Sequence, residues 1–85
     1  MNITSGIIEV DLHGKTVEEA IKAARQAIAK AGSSVYTIRL IHGFNGGTRI
    51  KSAVAEEFGY GLEPKVKRVK PGPNQGITDL ILREL

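Results

Sequence analysis

The chain contains no cysteine and no tryptophan, and only two phenylalanines and two tyrosines among its 85 residues. Without cysteine there is no disulfide framework, no thiolate metal site and no cysteine nucleophile, and the cytoplasm is the expected compartment. So few aromatic rings leave little material for a base-stacking platform, which argues against sequence-specific reading of unstacked bases. No apolar run approaches the ~18 residues of a membrane span. The opening MNITSGIIEV has neither a basic stretch nor a long apolar one, so no signal peptide is expected. What is present is ordinary for a globular domain, with 41% apolar and 25% charged residues. One domain over residues 1–85 is expected, small enough to bury only about 60–65% of its unfolded surface. A net charge of +3 and a pI near 9.5 favour an anionic partner.

Residues 7–13 alternate, with Ile8, Val10 and Leu12 on one face and Ile7, Glu9, Asp11 and His13 on the other, which predicts a half-buried strand. Gly14 breaks it. Thr16 stands three residues before Glu19, a capping box that opens a helix with Val17, Ala20, Ile21, Ala24, Ile28 and Ala31 on its apolar stripe. Residues 35–41 are rich in β-branched side chains and predict a second strand. His42 to Gly47 read as a glycine-rich loop, 48–58 as a shorter helix, and 60–64 as a connection. Residues 65–70 predict a strand and 71–76 a turn. For 77–83 a strand is expected, with helix the open alternative. The order β-α-β-α-β-β implies a two-layer α/β sandwich, with a four-stranded mixed sheet and two helices.

Two stretches could carry chemistry. Asp11-Leu12-His13-Gly14 lies at the carboxyl end of the first strand, the edge where open α/β sheets collect ligands. A carboxylate two residues from an imidazole suits general acid–base work. It equally suits a capped turn beside a packed histidine. The second stretch, His42 to Arg49, follows the second strand. Its glycines let backbone N–H groups approach an anion at a helix start, and Arg49 and Lys51 place positive charge in that helix's first turn. The macrodipole disfavours cations there by about 0.3–1 kcal/mol each, which a bound phosphate would offset; phosphate contact is the preferred reading and screened surface charge the alternative. Regular strands would aim His13 and His42 to opposite faces. Asp11, His13 and His42 have the chemistry of a two-histidine-one-carboxylate set but no diagnostic ligand spacing, so no metal site or cofactor is assigned. Lys65, Lys67, Arg68 and Lys70 form a cationic run that reads either as a phosphate track or as protection of an edge strand.

Taken in order, DLHG, a capped helix, His-Gly in a glycine-rich loop, and Gly76-Ile77-Thr78 after a glycine turn resemble the Smr (small MutS-related) domain over roughly residues 7–83. The resemblance implies a fold like the C-terminal domain of translation initiation factor three. It also implies binding of DNA or RNA, often with nicking or endonucleolytic cleavage, in the setting of DNA repair or recombination or of RNA processing. The family's signature residues fall on Asp11, His13, Gly14, His42 and Gly43. The family loop usually reads His-Gly-x-Gly-x-Gly, whereas Asn45 stands here at the second glycine. The last motif, usually Gly-Gly-x-Gly-Ala-Thr, keeps only its Gly-x-Thr.

Two functions follow as expectations. One is a nicking endonuclease or endoribonuclease of low sequence specificity, with Asp11, His13 and His42 catalytic. Gly14, Gly43, Asn45, Gly46, Gly47, Arg49 and Lys51 would then hold phosphate, and Lys65, Lys67, Arg68, Lys70, Gly76 and Thr78 would contact the polynucleotide. The other is a binding module of the same fold that does not cut. A protein-interaction domain pairing through an exposed strand, including a homodimer, is the third class.

Overall fold

The computed structural model describes residues 2–4, 6–43 and 49–84. It contains β1 (Asn2–Thr4), β2 (Ile7–Asp11), α1 (Val17–Lys30), β3 (Thr37–Ile41), α2 (Arg49–Phe58), β4 (Arg68–Pro71) and β5 (Ile77–Ile81). From β2 onward this is the expected β-α-β-α-β-β order, with two helices and four strands in a mixed sheet. β2 and β3 are parallel, with Val10 opposite Leu40. β5 runs antiparallel to both β3 and β4, so residues 77–81 are strand and not helix. β1 adds a fifth strand at the edge, in the order β1-β2-β3-β5-β4.

The additional strand depends on Gly6. Thr4 pairs with Ile7, so the chain must reverse within two residues, and Gly6 has a φ of +87°. A Cβ at Gly6 would lie 2.5 Å from the Tyr36 ring, so glycine is required there on both counts.

Alternate residues of the strands build the core. Ile8, Val10 and Leu12, then Ile38 and Leu40, then Leu80, pack beneath the two helices. α1 presents Ala20, Ala24, Ala27 and Ile28, and its three alanines let the helix sit close to the sheet. α2 supplies Val54 and Phe58. Each fully buried Ile, Leu or Phe contributes about 1.5–3 kcal/mol.

α1 begins as its sequence requires. The Thr16 hydroxyl accepts from Glu19 N, and the Thr16 N–H donates to Glu19 Oε1, a bond that holds the Glu19 carboxyl below its usual range. Across the helix pair, Arg25 is ion-paired with Glu57 and lies 5.4 Å from the centre of the Phe58 ring.

No helix among the described residues covers the other face of the sheet. Register puts Glu9, Arg39, Asp79 and Lys70 in one row across four strands. Arg39 donates twice to Asp79, at 3.0 and 3.1 Å, and the bidentate pairing strengthens the hold of the guanidinium on its proton.

Candidate nucleic-acid interface

β2 ends at Asp11 because the chain turns immediately afterward. Leu12 N bonds to Ile41 O (2.7 Å) and Lys15 N to Leu12 O (3.1 Å), closing a turn whose third residue, Gly14, has a φ of +75°. The Asp11 carboxylate accepts from the His13 backbone N–H at 3.1 Å and from His13 Nδ1 at 2.5 Å. The imidazole, followed by that N–H, holds the Asp11 carboxyl below the usual carboxylate range. Because the carboxylate only accepts, Nδ1 carries the proton. Nε2, which has no hydrogen-bond partner among the described residues, keeps its lone pair toward solvent in the neutral ring. The His13 side chain is 74% exposed. Leu12, between the two polar residues, is fully buried and anchors the turn to the core.

At the end of β3 the chain does the reverse with the same residue type. Asp11 pairs with Ile41, so His42, one residue on, belongs to the helix-covered face with Leu40 and Thr78. It is 8% exposed, with Nδ1 2.8 Å from Gly43 O and Nε2 2.8 Å from Thr78 Oγ1. The backbone N–H groups of His42 and Gly43 both donate to Gly76 O, at 2.9 Å each. Gly43 then takes a φ of +74°, and a Cβ built on it would lie 3.9 Å from His13 Cβ.

The two motif turns are therefore adjacent. They meet as the His13 side chain against the Gly43 backbone, while the two imidazoles occupy opposite faces, as alternation along regular strands requires. Among the described residues no group of three or more His, Asp or Glu side chains is gathered that could hold a metal ion. The two-histidine-one-carboxylate set is not assembled, because both ring nitrogens of His42 are committed elsewhere.

Of the other candidate residues, Gly14 lies in the turn beside His13. Gly76 and Thr78 are buried and face the second turn from β5. Asn45, Gly46 and Gly47 lie outside the described residues. Arg49 and Lys51 are exposed in a first turn of α2 that has no acidic residue, and neither makes an ion pair among the described residues. Glu57, at the other end of α2, is accounted for by its pair with Arg25 of α1.

The cationic run is divided by the fold. β4 begins at Arg68, so Lys65 and Lys67 precede the strand. Lys67 N bonds to Ile81 O, and Ile81 faces Thr37, the first residue of β3. Asp11 faces the last residue of β3, about 13 Å further along the sheet. Lys65 and Lys67 instead border a hollow of about 290 Å³ at that far pole, with Pro64, Leu82 and Arg83. Arg68 pairs with Glu84 (2.9 Å), and Lys70 sits midway, opposite Asp79.

Sequence pattern alone misses the His42–Thr78 bond, which depends on β3 and β5 pairing in register across 36 residues. The parity of His42 with Leu40 is its one visible sign.

A family model described as the Smr domain matches residues 10–78, from the residue before Asp11 to Thr78. The crystal structure of the Smr domain of Thermus thermophilus MutS2 is similar at 32% identity and a TM-score of 0.78, over 91% of this chain and 99% of that one. No curated protein matches. No helix among the described residues is long and apolar enough to cross a membrane.

Proposed function

We propose, from the premise that this chain belongs to the Smr domain family, that it binds the sugar–phosphate backbone of DNA or RNA at the carboxyl edge of its sheet. There it cuts the backbone with low sequence specificity, as a nicking endonuclease or endoribonuclease. The observation that supports this reading is the approach of His13 to Gly43, 3.9 Å between His13 Cβ and a Cβ built on the glycine. It puts an Asp-oriented imidazole beside the Gly43 backbone, which carries no side chain.

In this mechanism Asp11 orients His13 through Nδ1, and Nε2 takes the proton of the attacking water or ribose hydroxyl. The new P–O bond forms as the bond to the departing oxygen breaks, and solvent returns a proton to that oxygen. Arg49 and Lys51, together with the Gly14 backbone, offset charge on the phosphate; Gly43, whose N–H is engaged by Gly76 O, contributes by having no side chain there. Asn45, Gly46 and Gly47 are assigned to the same phosphate from the family pattern. Lys70 continues the contact along the β4 edge, and Arg68, Lys65 and Lys67 extend it toward the far pole. His42, with Gly76 and Thr78 behind it, supports the loop.

One observation favours the alternative, a module that binds and does not cut. The chain has two histidines, and both ring nitrogens of His42 are engaged, which leaves His13 as the one free imidazole. Supercoiled plasmid and a single-stranded RNA, each incubated with the protein with and without chelator, separate the two readings. Cleavage is expected to produce nicked circles or RNA fragments and to disappear in His13→Ala. Binding with a log–log salt slope of about −0.9 per phosphate contacted on duplex DNA, and no product, selects the module. Affinity that does not change with salt would reject both.

A further inference from the structure

We propose that Thr78 is a positioning residue for this site, acting through His42. Its hydroxyl donates to Nε2 and anchors the ring, which then holds the Gly43 carbonyl from Nδ1 and with it the left-handed turn beside His13. The role of the site rests on the function proposed above; the hydrogen-bond geometry does not.

Thr78 and His42 are polar groups on the helix-covered face, 4% and 8% exposed, in rows otherwise occupied by Ile38, Leu40 and Leu80. Valine would fill the place of Thr78 with nearly the same shape, so the hydroxyl is what distinguishes the residue there. A carbonyl oxygen only accepts, so the 2.8 Å contact to Gly43 O requires the proton on Nδ1. In the neutral ring Nε2 then holds a lone pair, and the Thr78 hydroxyl 2.8 Å away donates to it. The result is a directed chain, Thr78 O–H to Nε2 and Nδ1–H to Gly43 O, in which each bond polarises the next. The Gly43 carbonyl fixes the tautomer; the hydroxyl supplies the donor that Nε2 otherwise lacks among the described residues, and so anchors the ring against that carbonyl.

The carbonyl matters because of its sign. An oxygen of Gly43 turned outward would present the negative end of its dipole to a phosphate seated beside His13. Tied to the ring, it is held away. The two N–H bonds to Gly76 O fix the strand end, and among the described residues the His42 ring is what the Gly43 oxygen bonds.

The test compares Thr78→Val and Thr78→Ser with the parent protein by ¹⁵N NMR of the His42 ring. The amide signals of His13 and Gly43, and affinity for a labelled single-stranded oligothymidine, are followed in parallel. The parent ring is expected as the Nδ1–H tautomer. Thr78→Val is expected to shift the Nε2 signal, which loses its hydrogen-bond donor, and to shift the Gly43 and His13 amides as the ring loosens. It should weaken binding about five- to tenfold, the equivalent of one ordinary hydrogen bond, and Thr78→Ser should restore all three. A parent ring in the Nε2–H tautomer overturns the proposal. So does a folded Thr78→Val with unmoved ring and amide signals, or with parental affinity. If Thr78→Val does not fold, the parent tautomer and the Thr78→Ser spectrum decide. If the parent binds no oligonucleotide, the functional reading fails on its own, and the ring and amide signals still judge this one.

Discussion

His13 and His42 follow neighbouring parallel strands at one edge of the sheet, and their surroundings differ in every respect that governs reactivity. The His13 side chain is 74% exposed and has one nitrogen tied to a carboxylate. His42 is 8% exposed and has both nitrogens tied. The cause is parity. The pairing of Asp11 with Ile41 places His42 one step out of phase with Asp11, so one motif contributes a side chain to the edge and the other contributes its backbone. A shared residue type within two signature motifs therefore does not imply a shared role.

The contrast can be broken at either histidine. The largest effect is expected from His13→Ala. If the protein cleaves, the rate should fall about 10²- to 10⁴-fold, the contribution of a general acid–base group, while the urea midpoint stays at the parent value. Plasmid nicking or RNA cleavage and a denaturation curve on the same sample check both halves. His42→Ala should invert the pattern, lowering stability by about 1–3 kcal/mol because the Thr78 hydroxyl loses its partner inside the core. Chemical denaturation measures it, and an unchanged midpoint would mean that the ring is not built into the fold. Next in size, the double change Arg49→Ala and Lys51→Ala should reduce the salt slope of duplex binding by about 1.8 if each cation neutralises one phosphate. Titrations at several salt concentrations check it.

The smallest effect concerns the Asp11–His13 pair itself. The folded-state pKa of Asp11 is lowered, so its contribution to stability is present above the unfolded value of about 3.9 and is lost as pH falls through the folded value. The melting-temperature difference between parent and Asp11→Asn should therefore shrink as the pH is taken from 6 toward 3. A difference that grows over that range would reverse the assigned sign.

Local pattern carries most of the architecture. The Thr16–Glu19 box marks where α1 starts, and strict alternation from Ile8 to Leu12 is enough to assign the two faces of β2. The same alternation sends the two imidazoles to opposite sides. β1 escapes a reading of pattern because three residues are too short to show a period, and what secures them is a glycine fitted against Tyr36, some thirty residues away. The partner of His42 is hidden for a similar reason, since Thr78 reaches it only through the register of β5 on β3. The cationic run misleads in a different way. Four charges within six residues look continuous in sequence, but the strand begins at Arg68, and the charges before it belong to the opposite pole.

Leu12 separates Asp11 from His13 and is fully buried while both neighbours stand in solvent. The Asp11–His13 pair is thus mounted on a structural peg driven into the hydrocarbon interior. Loss of the Asp11–His13 contact on heating should then coincide with melting of the whole domain.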